Sequence, residues 1–183
     1  MSCLRDKFPK LQDSRNVKQV IAWMNMVTLC APVLKLSVNK TTQAAVLNFD
    51  SILEEWYYTS YDNMRITDWN ELKDKITEKL RLDVLNGRIE KVEPPRFSSK
   101  ANILSTFSGC ITEDVEVWLE SAERIRRIYG WSEQDILTEA MQSLSLSVQK
   151  SFNNNIKKRV VKWTEFKTLL TKEFFVPLNL YSN

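Results

Sequence analysis

Lys157, Lys158, Arg159 and Lys162 place four cations within six positions. Such a grouping could contact phosphates or an acidic protein surface. Arg124, Arg126 and Arg127 form a second basic group upstream. Each cluster also has a plainer reading, as a solvated loop and as helix-end charges balanced by Glu120 and Glu123. No aromatic stacking motif accompanies the loop, which favours the plainer reading. Tyr57, Tyr58 and Tyr61 follow Trp56 as an aromatic ridge. Tyrosine suits an interface, being apolar in body and polar at its tip, although burial explains the ridge equally well. Trp131 stands in a turn after Gly130, where it could anchor a partner or staple the next helix.

Catalytic chemistry finds little to work with. The 183 residues include no histidine and only Cys3, Cys30 and Cys110, none in a Cys-x-x-Cys pair. Histidine triads, histidine acid–base catalysis and zinc knuckles are therefore excluded. No glycine-rich loop cradles phosphates, and no carboxylate pair is marked for acid–base work. The expectation is no enzyme, no metal and no cofactor. An odd number of scattered cysteines fits reduced thiols in a reducing compartment. No apolar run approaches the ~20 residues of a membrane span, and the first residues carry no signal-peptide core. The chain is expected to be soluble and cytoplasmic, with nuclear access left open. A net charge of +3 is too mild to imply nucleic-acid binding by the protein as a whole.

The elements that would hold these residues are helices. Glycine and proline number only 3 and 5, too few for a turn-rich β fold. Val17, Val20, Ile21, Met24, Val27 and Leu34 recur at helical spacing, widened by Trp23 and Cys30, up to Pro32. Thr41 to Phe49 reads as a second helix. Ser51 and Glu54 have capping-box spacing before a third with Leu53, Trp56 and Tyr57. Asp68 and Glu71 repeat that spacing before Trp69, Leu72, Ile76 and Leu80. In the second half, Thr112, Glu113 and Asp114 make an acidic helix start before Trp118, Ala122, Ile125 and Tyr129, and Gly130 stops that helix. Ser132 caps the next, with Ile136, Leu137, Ala140, Met141 and Leu144 inside. Leu146, Val148 and Phe152 mark a third, ended by Asn153 to Asn155, and Trp163, Phe166, Leu170 and Phe174 lie on the last.

The halves superpose. Trp23 precedes Trp69 by 46 residues and Trp118 precedes Trp163 by 45. An offset of 95 pairs Ser37 with Ser132 and Ala45 with Ala140, and an offset of 94 pairs Trp69, Glu71, Lys73 and Thr77 with Trp163, Glu165, Lys167 and Thr171. One small helical unit used twice is the simplest account. The reading is an all-α chain of two tandem bundles of four to five helices each. It comprises an arm (1–14), a first lobe (15–85), a linker (86–106) with Asn86, Gly87, Pro94 and Pro95, a second lobe (107–177) and a tail (178–183). Trp23, Trp56, Trp69, Leu72, Trp118, Leu119, Trp163 and Phe166 are the expected core.

Phe107-Ser108-Gly109, Asp114 with Trp118-Leu119, Gly130-Trp131-Ser132, Trp163 with Glu165-Phe166-Lys167, and Phe174-Phe175 together resemble the capsid region of Gag from gypsy-type LTR retrotransposons. They are similar also to the first capsid lobe of the domesticated Gag protein Arc. Residues 105–177 carry the resemblance best, and residues 15–85 carry it through Trp23, Trp56, Tyr57 and the run Trp69 to Lys73. In that family a second lobe of distinct sequence follows the first, often with a zinc knuckle. Here both halves look like first lobes, so the resemblance implies a shortened or domesticated Gag. It implies association, with itself as a homo-oligomer or with a related Gag whose assembly it could interrupt. The likeness to Arc implies an alternative, a peptide ligand held in a groove of a lobe. Nucleic acid bound through Lys157 to Lys162 is a third reading.

Overall fold

In the computed structural model, residues 4–60, 66–94, 102–110, 112–156 and 162–174 are described. Among them the chain is all-helical, with eight α-helices and no strand beyond an isolated bridge between Phe107 and Leu144. No described helix is long and apolar enough to cross a membrane. The chain divides into two compact units, Met1–Lys91 and Val92–Asn183. Unit 1 holds a 3-10 turn (Leu4–Lys7) and helices α1 (Val17–Val33), α2 (Val38–Val46), α3 (Ser51–Ser60) and α4 (Trp69–Leu85). Unit 2 holds α5 (Val115–Tyr129), α6 (Glu133–Ser143), α7 (Leu146–Ile156) and α8 (Trp163–Phe174).

Each unit pins its leading arm in the same way. A buried indole N–H must find an acceptor. Trp23 Nε1 donates to the Pro9 carbonyl at 2.9 Å, and Trp118 Nε1 donates to the Ser105 carbonyl at 2.7 Å. The second tryptophan of each unit then ties the last helix to the first. Trp69 Nε1 donates to Thr28 Oγ1 at 2.9 Å, and Trp163 Nε1 donates to Glu123 Oε1 at 2.7 Å. Thr28 and Glu123 stand 95 residues apart, so the acceptor position is shared although its chemistry is not. The arms match as well: Leu11 N–H donates to the Asn48 carbonyl at 2.8 Å, and Phe107 N–H donates to that of Ser143 at 2.9 Å.

The corner after the first helix is also repeated. Lys35 (φ 52) and Gly130 (φ 68) both turn left-handed. In each case the next amide closes the end of the helix: Leu36 N–H reaches the Ala31 carbonyl and Trp131 N–H that of Arg126, both at 3.0 Å. Ser37 and Ser132 then cap α2 and α6, the latter in a reciprocal box with Asp135.

Several local expectations need correction. α2 begins at Val38, because Ser37 supplies its cap, and it ends before Phe49. The cap of α3 is Asp50, not Ser51: its Oδ1 accepts from Leu53 N–H at 2.9 Å, and its Oδ2 accepts from Ser14 N–H at 2.7 Å. Asp114 alone caps α5. Glu113 turns back to accept from the amides of Ser108 and Gly109 at 2.8 and 2.9 Å. Helix α7 runs through the asparagines to Ile156, since asparagine is a weak helix former (within ~0.7 kcal/mol of alanine) and not a breaker. Leu34, Met141 and Leu146 are exposed. Both described ends of the 86–106 stretch are packed, with Ile89 and Leu104 buried and Leu104 N–H donating to the buried Glu139 at 2.9 Å.

Unit 2 closes on itself at Gly109. Its φ is +71°, and a Cβ there would lie 2.7 Å from the Phe174 ring, so only glycine fits. Beside it Phe107 meets Phe174 edge to face, with centroids 5.4 Å apart. Across the bundle Glu123 gathers Trp163, Lys167 (2.6 Å) and Arg126 (3.0 Å). Burial pushes the Glu123 carboxyl up, but the hydrogen bonds from Lys167, Trp163 and Arg126 outweigh it and hold the acid below the usual glutamate range.

Two outcomes follow for stability. Gly130→Ala places a Cβ in open space but in left-handed backbone, so it destabilises by about 1 kcal/mol, whereas Lys35→Gly relieves the same strain and stabilises by up to about 1 kcal/mol. Denaturant titration of the two variants checks both signs. Because Glu123 is more acidic folded than unfolded, its contribution is present above the unfolded value (about 4.3) and is lost as pH falls through the folded one. Glu123→Gln should therefore flatten the acid limb of stability against pH; an unchanged limb would contradict the assignment.

Candidate binding groove

A concavity of unit 1 lies along α3 and α4. It consists of two adjoining hollows of about 330 and 400 Å³, which share Ile52, Lys79, Asp83 and Arg88. The larger is flanked by Trp56, Leu82 and Thr59, and the smaller reaches Ser14, Arg15 and Ile89.

Local folding places each of these side chains. Trp56 stands one turn beyond Ile52 on α3, and both are half-buried. Lys79 and Asp83 are one turn apart on α4, with Nζ 2.5 Å from Oδ2, and their side chains are only 10% and 11% exposed. After α4 the chain folds back, and the amides of Arg88 and Ile89 donate to the Asp83 carbonyl at 2.8 and 3.2 Å. That return sets the Arg88 guanidinium 3.4 Å from the Asp83 carboxylate while leaving the side chain 74% exposed. On the other wall, the Asp50 carboxylate holds the Ser14 amide and so fixes Ser14 and Arg15 against the start of α3. The result is a hollow with an apolar side (Ile52, Trp56, Leu82) and a charged side in which Arg15, Lys79 and Arg88 stand with Asp83 and Glu55. It suits a ligand that is apolar at one end and polar at the other.

The residues singled out from sequence divide sharply. Trp23, Trp69, Leu72, Trp118, Leu119, Trp163 and Phe166 are buried. Trp56 is not part of that core, because its position on α3 faces the groove, where it is half-buried. Tyr57 is interior rather than interfacial, packed edge to face on Phe49 at 6.0 Å. Tyr58 is exposed, and Tyr61 lies outside the described residues. Trp131 is also buried: it stacks on Tyr129 at 5.7 Å and donates from Nε1 to the Val92 carbonyl at 3.2 Å. Lys157, Lys158 and Arg159 lie outside the described residues. Lys162 is exposed at a shallow hollow shared with Thr164, Glu165 and Thr168. Arg124 is buried and paired with Glu120, and Arg126 pairs with Glu123, as the plainer reading of that cluster has it.

Sequence reasoning missed Ser14, Arg15, Lys79, Asp83 and Arg88. Only the Lys79–Asp83 spacing of four was visible in advance. The rest converge through the fold-back after α4 and through the Asp50 cap, contacts that no local pattern records.

The groove implies a contrast between tryptophans. Trp163→Ala opens the interior of unit 2 and should cost about 3–5 kcal/mol, whereas Trp56→Ala, at a half-buried groove wall, should cost well under half of that. Thermal or denaturant unfolding of the two variants measures the difference; equal losses would return Trp56 to the core. A scan against protein-family models, a search of the curated proteins and a search of the solved structures each found no match to this chain.

Proposed function

We propose that the chain is a Gag-like capsid protein, retroelement-encoded or domesticated, and that its two units are tandem capsid-like lobes acting by association with themselves or with a related Gag. The observation that carries this reading is the matched hydrogen bonding of the units. In each, the first tryptophan clamps the leading arm, the second ties the last helix to the first, and a left-handed corner precedes a serine cap. Small repeated helical lobes are suited to adding modest interfaces in symmetric arrays, where multiplicity makes weak contacts strong. Unit 1 also leaves Leu29, Val33, Leu34 and Val38 exposed around its α1–α2 corner, Val33 at 80%. Apolar side chains gathered in this way favour a protein contact over solvent.

A second reading is supported by the groove. An adaptor of this type would lay a short peptide segment along α3 and α4, its apolar side chain against Trp56.

Light scattering behind size exclusion, with negative-stain microscopy, tests the first reading. Concentration-dependent oligomers are expected, and Val33→Asp should dissociate them without unfolding the chain. A strict monomer at millimolar concentration would dispose of self-association.

A further inference from the structure

We infer that the exposed α1–α2 corner of unit 1 is the docking site for residues 175–183 of a second copy of this chain, so that copies join head to tail. The inference rests on the association reading and deepens it, by naming the surface and its occupant. The two corners supply the argument. Counted from their left-handed residues, Lys35 and Gly130, Val33, Leu34 and Leu36 stand where unit 2 has Ile128, Tyr129 and Trp131. Unit 2 encloses all three of its side chains, at 1%, 8% and 6% exposure. In unit 1, Val33 is 80% and Leu34 38% exposed, with Leu29 and Val38 exposed beside them.

A covering segment marks the difference. In unit 2 the stretch that follows α4 comes up to the corner. Val92, seven residues beyond Leu85, accepts at its carbonyl from Trp131 Nε1 at 3.2 Å, and Val92 and Pro94 are half-buried. Among the described residues nothing covers Val33 in this way. The stretch in the same relation to α8 is 175–183. It contains no charged residue, and Phe175, Val176, Leu178, Leu180 and Tyr181 make it mostly apolar. Such a segment matches a corner built from four exposed aliphatic side chains, a grouping that water disfavours and a partner covers. Segment and corner are different surfaces of one chain. Their contact is therefore heterologous and repeats from copy to copy, as a ring or an open chain.

Sedimentation velocity on the full chain and two full-length variants tests it, together with fluorescence anisotropy of a labelled peptide of residues 175–183. The unaltered chain should form concentration-dependent oligomers. Val33→Asp, on the corner, and Leu178→Asp with Leu180→Asp, on the docking segment, should each sediment as monomers with unchanged circular dichroism. Mixed in equal amounts, the two variants should form dimers and nothing larger, because one intact corner then meets one intact segment. The peptide should bind the Leu178→Asp, Leu180→Asp chain at one site. Adding Val33→Asp to that chain should weaken the peptide about tenfold or more, since docking would bury the new charge. Oligomers that persist in the Leu178→Asp, Leu180→Asp variant would overturn the inference and leave the association reading standing, whereas an unaltered chain that stays monomeric would remove both. Variants that fail to pair when mixed, or peptide binding that Val33→Asp leaves undiminished, would also overturn the inference.

Discussion

A buried indole nitrogen cannot be left without an acceptor, and this single requirement organises both units. Trp23 and Trp118 supply large apolar surfaces to the two cores, but each also carries one donor that needs an acceptor when the ring is buried. In both units that donor is met by a backbone carbonyl on the arm before the helix, from Pro9 and from Ser105. The arm is thereby drawn over the bundle, and its apolar residues, Phe8 and Leu11 in one unit and Leu104 and Phe107 in the other, are buried. The remaining contacts follow. Leu11 and Phe107 are then close enough to bond the end of the second helix, and in unit 1 the same arm brings Ser14 within reach of the Asp50 carboxylate. The groove of unit 1 is thus a consequence of where a tryptophan found its acceptor.

The parts legible in the sequence were those fixed by local chemistry. Apolar spacing located α1, α4, α5, α6 and α8. Asp68, Ser132 and Gly130 were readable as cap, cap and stop because each acts within one turn of itself. The matched spacing of Trp23 and Trp69 with Trp118 and Trp163 was visible for the same reason, since each of these markers sits on a helix. What escaped was set at a distance. Asp50 displaced Ser51 as the cap because a carboxylate there serves Leu53 and the remote Ser14 together. Trp131 could be read as a partner anchor or as a helix staple, and Tyr129 and the Val92 carbonyl settle it as buried. The candidate groove was almost wholly illegible: its charged side combines residues before α1, on α4 and after α4, joined only by tertiary contacts.

The two units spend the same frame differently. At matched positions unit 1 has Thr28 where unit 2 has Glu123. A neutral hydroxyl gives one hydrogen bond there; a carboxylate also collects Lys167, which lies 5.6 Å from the centre of the Trp163 ring, and Arg126. Unit 2 is therefore locked by charge at the point where unit 1 is held by a hydroxyl. Unit 1 in turn carries the paired hollows and the exposed apolar corner.

The fit between Gly109 and Phe174 makes the segment before α5 and the last turn of α8 neighbours. A side chain added at Gly109 would have to displace the Phe174 ring, and so would loosen α8 as well as the segment before α5. One aromatic contact thus couples two segments 65 residues apart, so that whatever frees one end of the bundle also unsettles the other.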